Sequence, residues 1–526
     1  MSRERTSGKS RARPSAQLVW FKRDLRVSDH RPLIEAAARG PVVCVYIYEP
    51  ELLRSAEFGG RHLAFINESL EALSGRLLQL GGRLITRRGE AVSVFRELAK
   101  AFRIAGLWSH AETGNRITYD RDRRVRDWCD ESGIEWRQPR QDGVVRALRD
   151  RDGWSRRWSE FMADEPLPEP EGVNGLEGVK SEGILGAEEL GLDPDPLVER
   201  QAGGEIPALK CLESFLERRG VNYRGDMSSP VEGWTGCSRL STHLAWGCVS
   251  VRTVHHALSE RQADLRLARS VGPPPDSRWL SSLRSFQSRL RWRCHFMQKL
   301  EDEPELEFRN LCRAYDGLRE SAFDDSRFEA WKAGRTGYPM VDACMRAVAA
   351  TGWLNFRMRA MVVSFASYHL WLHWRKTGVH LGRAFLDFEP GIHYSQVQMQ
   401  SGTTGINTIR IYSPAKQVRD QDPTGLFIRR WVPELAGVPD SFLPEPHLMS
   451  SEEQSRSGCL IGRDYPAPIV EHAEAYREAR RRVMAVRRKP DAKLAAEEVY
   501  KKHGSRKQGG RRTGAPRKKG SQMSLL

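Results

Sequence analysis

Between Gln17 and Gln138 the chain alternates short apolar runs with segments of helical period, and that alternation dictates a parallel sheet. The runs are Gln17–Lys22, Pro41–Tyr48, Gly82–Gly89, Ile104–His110 and Gly133–Gln138. A parallel pair cannot be closed by a tight hairpin, so each run needs a crossover, and the intervening segments are long enough to supply one. The segment His62–Gly81 has the 3.6-residue apolar spacing of a helix and stops at Gly81-Gly82. No G-x-G-x-x-G follows the first run, so a dinucleotide site of the usual βαβ kind is not supported there.

The period then changes. Residues 163–206 are rich in Glu, Gly and Pro and read as a long connector. From Ile206 to about Arg487 the pattern is helical and dense in Trp, Arg and His. Pro339–Gly352 predicts a helix ended by Gly352, with a second helix starting near Trp353. Ala360–Trp374 is the longest apolar stretch. It is interrupted by Ser364, Ser367, His369 and His373 and is shorter than the roughly 20 residues of a membrane span. It reads as one buried helix, and no membrane partner is expected. The expected organisation is a basic disordered N-terminus (1–16), an α/β domain with a Rossmann-like parallel sheet (17–162), the connector (163–206), an all-α domain (207–487) and a basic disordered tail (488–526).

Lys and Arg number 84 against 68 Asp and Glu, a net charge of +16. Such an excess favours a polyanionic partner, nucleic acid above all, although the basic tail carries much of it. Nine cysteines, with no C-x-x-C, argue against a disulfide framework and against a zinc or iron–sulfur site. The N-terminus has no apolar core of a signal peptide. A reduced, cytoplasmic monomer without a metal is the expectation.

Five segments, in order, carry a resemblance: Leu18–Leu33, Cys237–Ser250, Gly334–Trp353, Phe427–Leu435 and Asp464–His472. Together they resemble the cryptochrome/photolyase family from about residue 17 to 480. The resemblance implies an α/β antenna domain and a helical domain holding a folded-back FAD. Ser238, Arg239, Leu240, Ser241 and Thr242 match its phosphate-binding segment; ahead of a helical pattern they also read as an ordinary N-cap. Tyr223 matches a flavin-contacting tyrosine. Arg359 and Asp387 match a salt bridge at the isoalloxazine, and Phe388 and Glu389 continue that segment, Glu389 as a second acidic ligand.

The family photoreduces its flavin through tryptophans. Trp331 and Trp374 match the outer and middle positions, while Val397 stands at the innermost; Trp371, three residues from Trp374, is the expected substitute. His393 is expected opposite flavin N5. On the lesion side Trp292 matches a tryptophan that packs on a pyrimidine dimer, and Arg289 stands where a glutamate is usual. Phe356, Arg357 and Gln417 match further DNA contacts, and Arg289, Arg291, Arg293, Arg429 and Arg430, interleaved with aromatic residues, are candidates for a basic rim facing nucleic acid. Asn355 occupies the first position of the histidine pair of six-four enzymes, leaving His295 or His393 as substitute acids. The resemblance implies light-driven splitting of pyrimidine dimers, cyclobutane more than six-four, with damaged DNA as partner; a blue-light sensor without repair is the alternative. It leaves open a second, antenna chromophore, either folate or deazaflavin. The last residues, Gln522–Leu526, resemble a peptide that docks on the replication sliding clamp.

Overall fold

The computed structural model describes residues 13–271 and 276–504. Five strands form one sheet: β1 (Ser15–Phe21), β2 (Val42–Tyr48), β3 (Leu84–Arg88), β4 (Arg103–Trp108) and β5 (Trp136–Arg137). Their order is β3-β2-β1-β4-β5 and every pairing is parallel. The first strand starts at Ser15, two residues before the expected boundary.

Side chains of β1 alternate between two cores, as a pleated strand must. Val19 and Phe21 join a core that runs on through Leu63, Leu70, Phe215, Tyr223 and Trp246 into the helical half. Leu18 and Trp20 face Phe95, Leu107 and Trp128 on the outer side. Just beyond β1, Asp24 Oδ2 accepts from His30 Nε2 at 3.0 Å and from His110 Nδ1 at 2.7 Å. Burial alone would raise the Asp24 carboxyl, but the charge of His30 and the bonds from both rings hold it well below its ordinary value.

The connector has almost no regular structure, yet it is not slack. Val42 N–H donates to Asn174 O at 2.8 Å and Leu176 N–H returns a bond to Val42 O at 3.1 Å. Glu182 N–H donates to Thr86 O at 3.1 Å, so the strap covers the β3 edge that would otherwise offer free backbone groups. Arg61 then clamps Asp195 with bonds of 2.6 and 3.0 Å.

In the helical half, the long helix Arg278–Asp302 packs against Pro390–Ser401, which also packs against Phe356–Ser364. The Pro339–Thr351 helix ends at Gly352, whose φ of 71° needs a residue without Cβ strain. Ala360–Trp374 is not one helix. Phe356–Ser364 widens into a π turn at Phe365–His369, the chain reverses at Trp371 (φ 56°), and a new helix starts at Trp374. The interrupting polar residues explain the break: Ser364 Oγ bonds Arg410 O, Ser367 Oγ bonds Ser401 Oγ, and His373 accepts from the Arg375 N–H as a cap.

The region expected as a disordered tail begins with a helix, Pro490–His503. Proline at its first turn, a buried stripe of Ala492, Val499 and His503, and an ion pair from Lys502 to Glu303 fold it onto the domain despite its charge. The proposed clamp-docking residues Gln522–Leu526 lie outside the described residues, as do 1–12. No helix among the described residues is long and apolar enough to cross a membrane.

Candidate active site

Arg359, on the first turn of Phe356–Ser364, meets Asp387 through two parallel bonds, 2.9 Å to Oδ1 and 2.8 Å to Oδ2. Its Nε donates to Leu354 O at 2.8 Å, and the guanidinium carbon sits 4.0 Å over the Phe385 ring. Burial would raise the Asp387 carboxyl, but the Arg359 charge and its hydrogen bond hold it below its usual value. The pair is therefore a fixed, ionised unit.

Across from it, Cys237–Leu240 forms a tight loop. Arg239 has φ 60°, a left-handed conformation that costs an L-residue about 1–2 kcal/mol. Two contacts hold it there. Gln201 Nε2 donates to Arg239 O at 2.8 Å, and the guanidinium sits in the corner made by the edge-on indoles of Trp234 and Trp353, 4.0 Å from each. Arg239 Nε and Nη1 are buried without a hydrogen-bond partner, and the Ser241 hydroxyl, also buried, faces the Asp387 carboxyl. Burial lowers the guanidinium to about 10. Ser241–Ala245 is a single five-residue turn with Leu240 at its N-cap and no side-chain cap, so the capping explanation of Ser241 and Thr242 fails. Thr242 is buried, and Ser238 Oγ accepts from Leu240 N–H at 3.4 Å.

Glu389 caps the start of Pro390–Ser401 and is flanked by Arg293 Nη2 at 3.3 Å and Arg23 Nη2 at 3.9 Å. Burial raises its carboxyl, and the two arginines offset that only in part. Arg293 also donates to Leu244 O at 3.0 Å. It therefore turns inward to the Asp387–Glu389 segment rather than outward to a nucleic-acid rim. Arg23 was not foreseen: it donates to Phe388 O at 2.5 Å and Ala245 O at 2.8 Å, pinning Phe388 and the phosphate-segment turn to the end of β1.

On the neighbouring face stand the expected lesion contacts. Arg289 Nη2 approaches Met227 Sδ at 3.9 Å while its Nε is buried and unpartnered. Tyr223, at the start of a short helical turn, borders Arg289, and burial pushes its phenol up. Asn355 Nδ2 donates to Met227 O at 3.2 Å and leaves Oδ1 unmatched, as are Arg357 Nε and Gln417 Oε1. Phe356 is half-buried at the helix start beside Arg357. Trp292 is half-buried and stacks on Phe296 at 5.5 Å. The other rim arginines are engaged: Arg291 covers Trp158 at 4.7 Å, Arg429 pairs with Asp440 at 2.6 Å and Arg430 with Glu199 at 2.5 Å.

Neither histidine is an available acid near neutral pH. His295 Nδ1 faces Arg151 Nη1 at 3.0 Å, and burial, with Lys299 and Arg151 nearby, lowers the ring to about 2. His393 lies in the Pro390–Ser401 helix, not in a loop; its Nε2 donates to Gly378 O at 2.7 Å, and burial lowers it to about 4. Of the tryptophans, Trp331 packs on Phe328 and His380 at 6.1 and 5.7 Å, and Trp374 on His373 and Tyr394 at 5.5 and 6.2 Å. Trp371 is not one helical turn from Trp374, because the reversal at Trp371 separates it from that helix; it lies under Arg319 at 4.5 Å.

Comparison with known proteins decides what the arrangement is. Residues 17–149 match the family described as DNA photolyase, and residues 286–485 match the FAD binding domain of DNA photolyase. A cryptochrome DASH of Gloeobacter violaceus is 30% identical over 485 residues, covering 86% of this chain and 93% of its own. The chain belongs to the cryptochrome/photolyase family. Within the family, a deoxyribodipyrimidine photo-lyase of Halobacterium salinarum is also 30% identical, over 88% of this chain and 98% of its own. A solved class III photolyase from Agrobacterium tumefaciens superposes with a TM-score of 0.79 at 26% identity, covering 92% of this chain and all of that one.

A cryptochrome/photolyase flavin fits these residues. The unmatched Arg239 groups would suit a pyrophosphate, and the Arg359–Asp387 pair would offer a fixed cation to a ring system that becomes anionic on reduction. When bound, FAD supplies light absorption and one-electron chemistry; the residues orient it and exclude water.

Proposed function

We propose that the chain is a light-driven DNA lyase that splits pyrimidine dimers, cyclobutane dimers in preference to six-four products. The observation that carries this reading is the set of unmatched buried polar groups beside the flavin segment: Arg289 Nε, Asn355 Oδ1, Arg357 Nε and Gln417 Oε1. Buried polar atoms normally find partners. Arg289 and Asn355 both meet Met227, and Arg357 follows in the first turn after Asn355; these groups, with Trp292 as an aromatic wall, suit a flipped-out dimer that brings its own carbonyls and imide groups. The six-four alternative is disfavoured because His295 and His393 are held neutral and hydrogen-bonded elsewhere.

The test is repair in vitro. Reduced, flavin-loaded protein is mixed with an oligonucleotide carrying one defined dimer and illuminated with blue light. Restored thymines from the cyclobutane substrate support the reading; no restoration of either lesion moves the chain to the sensor reading, which the arginine at position 289 in place of a glutamate favours.

An antenna chromophore belongs to the same proposal. A narrow cleft of about 90 Å³ opens at the C-terminal ends of β1 and β2, lined by Phe21, Tyr46, Glu49, Phe58, Trp246 and Phe388. This is where open α/β sheets bind ligands. The related photolyase of Sulfolobus tokodaii was solved with two FAD molecules, in a structure said to imply a novel light-harvesting cofactor. Acid extraction of the purified protein, followed by chromatography, identifies any second pigment. Docking of Gln522–Leu526 on the sliding clamp is tested by deleting those five residues and measuring clamp binding.

A further inference from the structure

Tyr394 is fully buried in the Pro390–Ser401 helix. Its hydroxyl donates to Glu57 Oε1, a carboxylate 337 residues away in the α/β half. Arg375 Nη1 lies 3.2 Å from that oxygen and 3.2 Å from the Tyr394 hydroxyl. The Tyr394 ring stands edge-on to Trp374 with centroids 6.2 Å apart. Glu57 also lines the cleft at the strand ends, which gives its carboxyl a way to exchange protons with water.

A core tyrosine needs only a neutral acceptor such as a carbonyl. A buried carboxylate held by a guanidinium is a costly way to satisfy one phenol, and it provides something a carbonyl cannot, a proton acceptor already in place. Burial and the neighbouring Glu57 charge raise the phenol further above its ordinary value, so Tyr394 rests protonated. An electron can then leave it only together with that proton. Trp374 differs: its Nε1 donates to the Asn310 amide oxygen at 2.7 Å, which is no base. An indole cation formed there keeps its charge until a neighbour discharges it, and the neighbour with a base is Tyr394.

We propose that Tyr394 is a redox-active residue that refills Trp374, with Glu57 as its proton acceptor. One electron passes from Tyr394 to the Trp374 radical cation, and the phenolic proton passes to Glu57. The products are neutral Trp374, a neutral tyrosyl radical and a protonated carboxyl. The one-electron oxidant of Trp374 is a photoexcited oxidised flavin. This rests on a flavin in the helical half and is independent of which lesion, if any, is repaired.

The test uses the full flavin-loaded chain grown with ring-deuterated tyrosine, oxidised, illuminated and frozen for electron paramagnetic resonance. The expected result is a tyrosyl signal narrowed by the label and lost in Tyr394→Phe, together with a longer-lived indole radical in transient absorption. Glu57→Gln keeps the phenol and loses the signal as well. Flavin content and thermal melting are recorded for each variant. Where Tyr394→Phe fails to fold, difluorotyrosine at 394 replaces it, and fluorine splitting of the radical is then expected. Absence of a tyrosyl signal in the wild type, its survival in Tyr394→Phe, or its lack of fluorine splitting overturns the proposal.

Discussion

Arg359 and Asp387, 28 residues apart, share two parallel hydrogen bonds and form the one fixed ion pair between the Phe356–Ser364 helix and the segment ahead of Pro390. Asp387→Asn keeps the shape and removes the charge. Breaking a fully buried pair costs about 3–5 kcal/mol. Arg359 is 26% exposed, so water takes up part of that loss and the expected destabilisation is smaller. Flavin retention should fall sharply, read as the flavin-to-protein ratio after purification. Because the Asp387 carboxyl is depressed in the folded state, its stabilising contribution is present above the unfolded value and lost as pH falls through the folded one. The difference in melting temperature between wild type and Asn variant should therefore shrink in acid. A difference that stays constant down to acid unfolding contradicts the ion-pair account.

Arg239→Lys tests the indole clamp. An ammonium lacks the planar face that packs into the corner of Trp234 and Trp353, and each such contact is worth about 0.5–1 kcal/mol or more when desolvated. The variant should fold, melt a few degrees lower and reconstitute with FAD more weakly than the wild type. Isothermal titration of flavin-free protein measures this; unchanged affinity would show that the guanidinium does not face the cofactor.

Lys299 is the clearest pH-sensitive group. Burial, with Arg151 nearby, lowers it to about 7 from an ordinary value near 10.5. Below pH 7 both folded and unfolded chains carry the proton, and the fold bears the full desolvation cost. Between pH 7 and about 10.5 only the unfolded chain binds it, so stability rises with pH. Lys299→Met should raise stability at pH 6–7 by an amount of order a few kcal/mol, read as a higher melting temperature, and the gain should fade towards pH 10. A gain independent of pH would assign it to packing instead.

Val397→Trp does not restore an indole at the inner position. Val397 Cγ1 lies 3.5 Å from where a Gly378 Cβ would stand, with Tyr394 and His393 atoms at 3.7 and 3.8 Å. Val397 is buried, so an indole in its place must displace its neighbours, and overpacking of this kind costs about 1–3 kcal/mol. A lower melting temperature with no faster flavin photoreduction is expected; faster photoreduction in a stably folded variant refutes it.

The five strands and the stops at Gly81 and Gly352 were legible because period and glycine punctuation are local properties. The break at Trp371 was not, since hydropathy along Ala360–Trp374 says how buried a residue is and nothing about where its hydroxyls bond. The Pro490–His503 helix was hidden because charge dominates its composition while only three positions face inward. Arg359 and Asp387 came from resemblance rather than pattern. Arg23 and Glu57 had no local signal at all, because their partners lie more than 200 residues away. Arg293 was read outward with Arg289 because, four residues apart, the two share a helix face, and the sequence does not show that the segment around Glu389 packs against one end of that face.

Arg23 leaves the end of the first strand and holds the carbonyl of Phe388, the residue between the two acidic positions of the cofactor segment. The backbone that aims Asp387 and Glu389 is thus anchored to the opposite half of the molecule. A shift of the sheet against the helical bundle would be felt as a rotation of both carboxylates, so substitutions at the very beginning of the chain can alter flavin colour without touching the pigment.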